Sequence, residues 1–211
     1  MANSNGSFGL RPIGKIGQST NSTGMTEYRI ASDNSNPIFQ GMAVIPLAAG
    51  VIDDLQAAAG GNVAIVGVFG GCEYVSSTTG ETIYSNYWPG SGADSNHPVK
   101  AFVYDNPMQT FVIASDASLT DEATARGHVF ANANFAAGAS GSTTTGISSG
   151  KLGVSTIATT AALHLRIIGI QDDVENQDFA AAGIGLIVRL NNSFNSANGG
   201  IAAGTPSTTG V

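Results

Sequence analysis

The sequence IVGVFGGCEYV, residues 65–75, decides how the fold is interpreted, because it places the only cysteine, Cys72, directly after two glycines. A thiol on a tight turn between two hydrophobic runs fits either a catalytic nucleophile or a kink between two strands. A helix follows the nucleophile in a hydrolase elbow, whereas strand-like residues follow Cys72. Glycines at 67, 70 and 71 are typical of a strand that is bent or bulged where another backbone comes close. We therefore interpret Cys72 as a small buried residue beside a bend between two strands.

Strand-like runs continue in both directions from this stretch. Each is rich in β-branched and aromatic residues and is bounded by turn residues. The runs are TEYRIAS (26–32), IFQGMAVI (38–45), NVAIVGVF (62–69), CEYVSS (72–77), ETIYSNYW (81–88), VKAFVYD (99–105), TFVIAS (110–115), AALHLRIIGI (161–170) and GLIVRL (185–190). The turns STTGET and DNPMQ join consecutive runs as hairpins. The sequence therefore predicts a mainly β fold, an antiparallel β-sandwich or barrel.

One segment, SLTDEATARGHVFANANF (118–135), has a helical pattern instead. Thr120 is placed to cap the helix, and Asp121 and Glu122 complement the helix dipole in the first turn. The apolar face of this helix would consist of Leu119, Ala123, Val129 and Phe130. We predict one helix over about 121–132, and a shorter helical turn around 53–59.

The composition of the two ends divides the chain into three parts. Residues 1–25 hold single hydrophobic residues among Gly, Ser, Asn and Thr, which is typical of an extended N-terminal arm that lies over a surface. Residues 26–192 form the predicted β-rich domain, with a helical insertion near 119–135. Residues 193–211 are expected to be a flexible Gly/Ser/Thr/Asn tail.

The charge content restricts the possible partners. Charged residues make up 11% of the 211 residues, against about 25% in an average globular protein, so the surface costs little to desolvate and suits an assembly. Eight basic and fifteen acidic residues give a net charge of −7, which repels nucleic-acid phosphates. Because the sequence has neither an apolar run of membrane-spanning length nor a signal-peptide core, we expect no nucleic-acid or membrane partner and production in the cytoplasm.

Three candidate sites have both a functional and a structural interpretation. Cys72 as a nucleophile needs a base, and nothing selects one among His97, His128 and His164. The acidic run QDDVENQD (171–178) suits calcium, but it lacks the glycine and the final glutamate of an EF-hand loop, so we interpret it as a solvated loop. Five aromatic residues fit a sugar-binding platform or a core, of which we favour the core: Tyr84, Tyr87, Trp88, Phe102 and Tyr104. We predict no catalytic residue, no metal and no cofactor.

Five segments keep a characteristic order along the chain: SFGLRPIGKIG (7–17), TEYRIASDNSNPIFQGMAV (26–44), IVGVFGGCEYVSSTTGETIYSNYWPG (65–90), KAFVYDNPMQTFVI (100–113) and LRIIGIQDDVENQ (165–177). In this order they resemble a family of virion structural proteins of tailed bacteriophages, the capsid decoration or cement proteins. The resemblance implies a non-enzymatic, mechanical role. Copies, commonly trimers, would bind the outside of the capsid shell and clamp neighbouring capsomers. The implied partners are the major capsid protein and sister copies, and the implied location is the exterior of the virion.

The resemblance carries over no active-site residue, so candidate contacts come from the arm. We predict that the hydrophobic anchors and the one arginine of this segment contact the capsid or a sister subunit. These residues are Phe8, Leu10, Arg11, Pro12 and Ile13. Arg11 is suited to pair with a carboxylate of the partner.

Other functions stay open at this point. The aromatic strands and the Ser/Thr/Gly loops also fit a carbohydrate-binding or adhesive virion module. A major capsid protein would need a long spine helix, and no apolar helical pattern exceeds about 12 residues. A Cys-dependent hydrolase is motivated by Cys72 alone.

Overall fold

Thirteen strands and one α-helix form the described part of the computed structural model, which covers residues 3, 6–17, 24–55, 63–136 and 140–196. The strands are β1 (Arg11–Lys15), β2 (Thr26–Ile30), β3 (Ile38–Phe39), β4 (Ala43–Pro46), β5 (Ile52–Asp54), β6 (Gly67–Val75), β7 (Thr82–Ser85), β8 (Tyr87–Trp88), β9 (Val99–Tyr104), β10 (Gln109–Ala114), β11 (Asn132–Ala133), β12 (Leu165–Ile170) and β13 (Gly185–Leu190). The helix α1 is Glu122–Gly127. At six residues, α1 is far shorter than a membrane-spanning helix, and the described residues contain no other candidate for such a helix.

The strands form a sandwich-like arrangement of antiparallel sheets. One sheet has five strands in the order β1-β10-β13-β12-β11. The other has six strands, with β2-β9-β6-β4-β5 in order and β7 paired to β6. Strands β3 and β8 form a separate two-stranded sheet. All pairings between these strands are antiparallel, so the predicted mainly β, antiparallel fold is confirmed. The predicted hairpin at STTGET is confirmed as β6 and β7. The predicted hairpin at DNPMQ is wrong, because the chain passes there from β9 in one sheet to β10 in the other.

The stretch with the glycine pair forms one strand rather than two. β6 runs through Gly70 and Gly71, and a bulge between Phe69 and Gly71 shifts its register against β9. A side chain at Gly67 would collide with the carbonyl oxygen of Tyr104, so only glycine allows β9 to approach this closely. The predicted bulge is confirmed, whereas the predicted division into two strands is wrong because the glycines absorb the irregularity within the strand.

Alternate side chains along strands of the six-stranded sheet belong to two different hydrophobic clusters. Ala43 and Val68 belong to the first cluster, while their chain neighbours Val44 and Phe69 belong to the second. Successive residues of a strand point to opposite faces, so the sheet is buried on both sides here. The first cluster also contains the inward residues of the five-stranded sheet, including Phe111, Ile167 and Val188. The second also contains Phe39 and Trp88 of the two-stranded sheet.

Two predicted runs are each divided into two strands. The run 38–45 becomes β3 and β4, because the chain turns at Gly41, which has a φ of 86°. A side-chain carbon there would lie 2.7 Å from the carbonyl oxygen of Phe8. The run 81–88 becomes β7 and β8, which pair with β6 and β3 respectively.

The helix is shorter than predicted, and a different residue caps it. The Asp121 carboxylate accepts a hydrogen bond from the backbone N–H of Thr124 at 2.7 Å, which makes Asp121 the N-cap. Thr120 has a φ of 69° and makes no such bond. The helix ends at Gly127 with His128 as its C-cap. The predicted C-terminal end is instead part of β11, since Asn132 and Ala133 pair with β12.

The predicted apolar face of the helix is largely wrong. Leu119 is buried, but Ala123 is exposed and Phe130 is 80% exposed. The buried residue of α1 is Ala125. The predicted helical turn at 53–59 begins later than predicted, because Asp53 and Asp54 belong to β5 and pair with β4. Leu55 has the conformation of a 3-10 helix, and residues 56–59 lie outside the described residues.

The boundaries of the predicted arm and tail need correction. β1 pairs with β10 as an edge strand of the five-stranded sheet, and Leu10 is only 1% exposed. Ser193 is buried and forms a bridge with Ile65, and Phe194 packs against the second cluster. Long-range pairing therefore makes both segments part of the fold. The remaining tail, residues 197–211, lies outside the described residues, as do parts of the arm.

Candidate functional site

The predicted contact residues of the arm lie on and beside an outermost strand of the five-stranded sheet. Arg11 and Ile13 are exposed on β1, and Phe8 and Pro12 are half-buried. The Arg11 guanidinium lies 5.2 Å from the centre of the Phe8 ring, which is a cation–π contact. Leu10 is a core residue, so it is not available to a partner and its predicted role is wrong.

Further apolar side chains extend this surface beyond the predicted residues. Ile13 and Ile16 are each 40% exposed, and Met108 is 45% exposed. The backbone N–H of Ile16 donates to the Met108 carbonyl at 3.0 Å, which holds the turn before β10 beside β1. We call Phe8, Arg11, Ile13, Ile16 and Met108 the β1 surface. Sequence reasoning missed Met108 because only the pairing of β1 with β10 brings that turn to the arm.

The outer face of the same sheet carries three arginines. Arg166 and Arg189 lie directly opposite each other on β12 and β13, and Arg189 pairs with Thr110 of β10. Arg11 of β1 pairs with Val112 of β10, which lies two residues beyond Thr110. Residues two apart in a strand point to the same face of the sheet, so all three arginine side chains lie on one face. Burial, and then the neighbouring Arg166, lower the pKa of Arg189. Within the described residues no carboxylate forms an ion pair with any of the three, so this face is basic.

A cleft of about 590 Å³ lies beside the other outer strands of this sheet. Helix α1, the end of β12 and the loop that follows β12 line it, including Glu122, Arg126 and Gly169. Two large apolar side chains are next in sequence to lining residues and are very exposed: Phe130 at 80% and Val174 at 70%. We call the cleft together with Phe130 and Val174 the cleft surface.

The cleft surface is acidic. Glu122 forms an ion pair with Arg126, so these two charges offset each other. Asp172 and Asp173 also line the cleft, and within the described residues no cation lies at ion-pair distance from either. Two negative charges are therefore left without a countercharge at this surface.

A buried asparagine holds the acidic loop in place. The Asn176 side-chain amide donates to the carbonyls of Gln171 and Gly185, at 2.8 and 3.1 Å, and its oxygen accepts from the Gly185 N–H at 2.7 Å. The described residues contain no group of three or more His, Cys, Asp or Glu side chains that could hold a metal ion. The acids at 172–178 thus lie on a loop that the Asn176 side chain anchors to β13.

Cys72 lies in an apolar environment, and within the described part of the chain no histidine is hydrogen-bonded to its thiol. It is 2% exposed, and its Sγ donates to the Tyr87 carbonyl at 3.3 Å. Burial raises the pKa of this thiol to about 12. His97 is paired with Asp94 at 3.0 Å, and burial lowers the pKa of His164, whose ring contacts Phe135. The prediction that Cys72 is buried is confirmed.

The predicted aromatic cluster is not one surface. Trp88 is fully buried, makes an edge-to-face contact with Tyr74 at 5.4 Å and donates to the Asn34 carbonyl at 3.2 Å. Tyr87 stacks on Phe39. The core interpretation is thus confirmed for Trp88. Two others, Phe102 and Tyr104, are half-buried, and Tyr84 is 73% exposed.

Comparison with known proteins adds no relative to this picture. No protein-family model, no curated protein and no solved structure matches the chain.

Proposed function

We propose that this chain is a non-enzymatic structural protein of a tailed-phage virion, a decoration or cement protein. In this role it binds the outside of the capsid shell, as a homotrimer, and stabilises contacts between capsomers. The observation that carries the proposal is the exposure of large apolar side chains on a chain with very few charges. The resemblance of its five ordered segments to decoration proteins supports the same role.

Exposed apolar side chains favour association over a free monomer. Phe130 and Val174 are at least 70% exposed, and Ile13, Ile16 and Met108 are 40–45% exposed. Burying such surface against another protein gains about 25 cal/mol per Å². With charged residues at 11%, few ionic groups lose their hydration in the contact. Many weak contacts of this kind, repeated in a trimer, add up through effective concentration.

The β1 surface is preorganised for binding. β1 is held by β10, and the Phe8 ring holds the Arg11 guanidinium in place. Because these groups are ordered before contact, association costs less conformational entropy. An exposed guanidinium beside apolar side chains suits a partner that offers a carboxylate within an apolar surface.

The environment of Cys72 supports the non-enzymatic part of the proposal. A thiol with a pKa near 12 is protonated at neutral pH, and the thiolate is the nucleophilic form. Within the described residues, the six-residue α1 gives no support to the alternative of a major capsid protein with a long spine helix.

Co-sedimentation with empty shells of the same virus tests the proposed function. We expect the wild-type protein to pellet with the shells, to saturate at a fixed number of copies per capsomer and to raise the temperature at which shells break. Cys72→Ala should bind shells to the same extent, because the thiol lies in the core. Protein that stays in the supernatant at saturating concentration would refute the proposal.

One observation favours a second candidate, a carbohydrate-binding virion module. The Tyr84 ring is 73% exposed on β7, directly opposite Glu73, which forms an ion pair with Lys100 at 3.1 Å. An exposed ring beside polar groups is able to stack on a sugar face. Glycan-array binding that is lost in Tyr84→Ala would support this function. Trp88 is not a suitable control, since its side chain is fully buried.

A further inference from the structure

We propose that two copies of this chain associate head to tail, with the β1 surface of one copy docked on the cleft surface of the next. The proposal rests on the assembling role inferred above, and it identifies the two faces that join the subunits of the homotrimer. Its test uses the purified protein in solution and needs no shell. Failure of the head-to-tail contact is therefore distinguishable from failure of shell binding.

The two surfaces lie at opposite sides of the five-stranded sheet and at the same level. Arg11 of β1 pairs with Val112 of β10, Val112 pairs with Ile187 of β13, and Ile187 pairs with Gly169 of β12. Gly169 lines the cleft. Three strand spacings, about 14 Å, therefore separate Arg11 from the cleft across one rigid sheet. A subunit with its two faces at fixed relative positions can repeat the same contact from copy to copy.

The two surfaces are complementary in charge. The β1 surface presents Arg11, and Arg189 lies at its side with a guanidinium nitrogen 3.8 Å from the Met108 sulfur. The cleft surface presents Asp172 and Asp173 without a countercharge among the described residues. A basic surface facing an acidic one favours the correct encounter and disfavours contact of either surface with itself. The contact is therefore between unlike faces.

The two surfaces also match in apolar content, and Phe130 is the strongest indication of a contact. Its backbone has a φ of 76° while its ring is 80% exposed. A bulky residue rarely adopts this left-handed conformation. Its backbone N–H donates to the Ile167 carbonyl at 2.8 Å, which holds the backbone of Phe130 against β12, next to the cleft-lining Ile168. Within one copy this exposed ring gains nothing, whereas Ile13 and Ile16 of a second copy would bury it.

A contact between unlike faces is a heterologous interface, which leads to cyclic or filamentous assemblies. Repeated head-to-tail contacts close into a ring when the rotation between copies permits it. In a ring of three copies, the β1 surface of each copy contacts the cleft surface of the next. Neither surface is then left exposed in the trimer.

Two variants break one face each. Arg11→Glu places a negative charge on the β1 surface, opposite Asp172 and Asp173 of the neighbour. Phe130→Asn removes the apolar ring, and because asparagine tolerates the left-handed conformation, the backbone is expected to keep its fold. Tyr84→Asn is the matched control, since Tyr84 is similarly exposed but lies on the six-stranded sheet.

Light scattering over a concentration series provides the readout, with circular dichroism to establish that each variant is folded. We expect a trimer for the wild type and for Tyr84→Asn, and a loss of mass toward 21.3 kDa for Arg11→Glu and Phe130→Asn. The dissociation constant of each should rise at least tenfold. A monomeric wild type, or a Phe130→Asn variant that stays trimeric, overturns the proposal.

Mixing the two variants tests the head-to-tail geometry itself. In an equimolar mixture, the intact β1 surface of Phe130→Asn can bind the intact cleft surface of Arg11→Glu. Every other combination of a β1 surface with a cleft surface includes at least one substituted surface. The predicted product is a heterodimer that does not grow further. A mixture that contains only monomers, or that recovers complete trimers, contradicts the proposed arrangement of faces.

Discussion

The thiol of Cys72 should be almost inert in the folded protein. It is 2% exposed, lies within the second hydrophobic cluster and donates its proton to the Tyr87 carbonyl. Burial raises its pKa from the ordinary value of 9.0 to about 12. A catalytic cysteine requires the opposite, an accessible thiol with a lowered pKa. Thiol reactivity therefore separates the structural interpretation of Cys72 from the hydrolase hypothesis.

The size of the effect follows from the pKa of the thiol. A rise from 9.0 to about 12 lowers the fraction of thiolate at pH 8 by about 1000-fold. Steric protection by the cluster slows reagents further. A disulfide reagent such as DTNB should therefore react at least 1000-fold more slowly with the native protein than with the protein in denaturant, where one thiol per chain should react rapidly. Comparable rates in the two states would refute the reasoning.

The same pKa shift predicts how stability depends on alkaline pH. Between pH 9 and about 12 the unfolded chain loses the Cys72 proton while the folded chain keeps it. The free energy of unfolding should then fall with rising pH, by about 1.4 kcal/mol per unit from this group. Cys72→Ala should lack this component, so the difference between the two urea denaturation series isolates it. Parallel pH profiles for the two proteins would contradict the assigned environment.

Three further predictions concern the stability of the fold, each measured by urea denaturation. Trp88→Ala should lower the free energy of unfolding by about 3–5 kcal/mol because it empties a fully buried site, while Tyr84→Ala, at an exposed position, should change it by less than about 0.5 kcal/mol. Gly67→Ala should destabilise by about 1–3 kcal/mol, since the added carbon collides with the Tyr104 carbonyl and β9 must move away; an unchanged midpoint would argue against this register. Asp121→Ala should lower the urea midpoint through loss of the N-cap, and Asp121→Asn, which retains a cap, should lower it less. Hydrogen bonds from the first turn lower the pKa of Asp121 below 3.8, so its contribution is present above that pH and is lost as pH falls through the folded-state pKa. Equal acid sensitivity in Asp121→Asn would contradict this assignment.

The strands with regular alternation were predictable from the sequence. In β9, Val99, Ala101 and Val103 are buried and the intervening residues are half-buried. A period of two combined with β-branched residues identifies such a strand without knowledge of its partners. The content of β-branched and aromatic residues between turn residues located β2, β10, β12 and β13 to within a few residues, although every residue of β10 is buried and its burial shows no alternation.

Strands that depend on distant partners were not predictable. β1 contains Pro12 and Gly14, two residue types that are depleted in strands, and it forms because β10, far along the chain, pairs with it. β5 contains Asp53, which is tolerated in a buried strand because the side-chain amides of Asn34 and Asn36 donate to its carboxylate at 2.8 and 3.0 Å. Local propensity gives no signal for either strand.

Some residues of the candidate surfaces were predictable from the sequence and others were not. The exposure of Arg11 and Ile13 agrees with their predicted role as contacts, since single hydrophobic residues in a polar segment suggested it. Leu10 has the same character in the sequence but is buried in the first cluster. The sequence pattern places Phe130 on the apolar face of a helix. Its exposure results from the early end of α1 and from a left-handed backbone conformation, and neither is encoded in hydrophobic periodicity.

Electron cryomicroscopy of shells incubated with the purified protein shows whether the chain decorates the capsid exterior. We expect added density on the outside of the shell at symmetric positions, with three copies joined so that β1 of each lies against the cleft of its neighbour. Shells without external density at saturating protein concentration would contradict the proposed role as a decoration protein. Density in which single copies do not touch one another would leave that role in place and refute the head-to-tail contact.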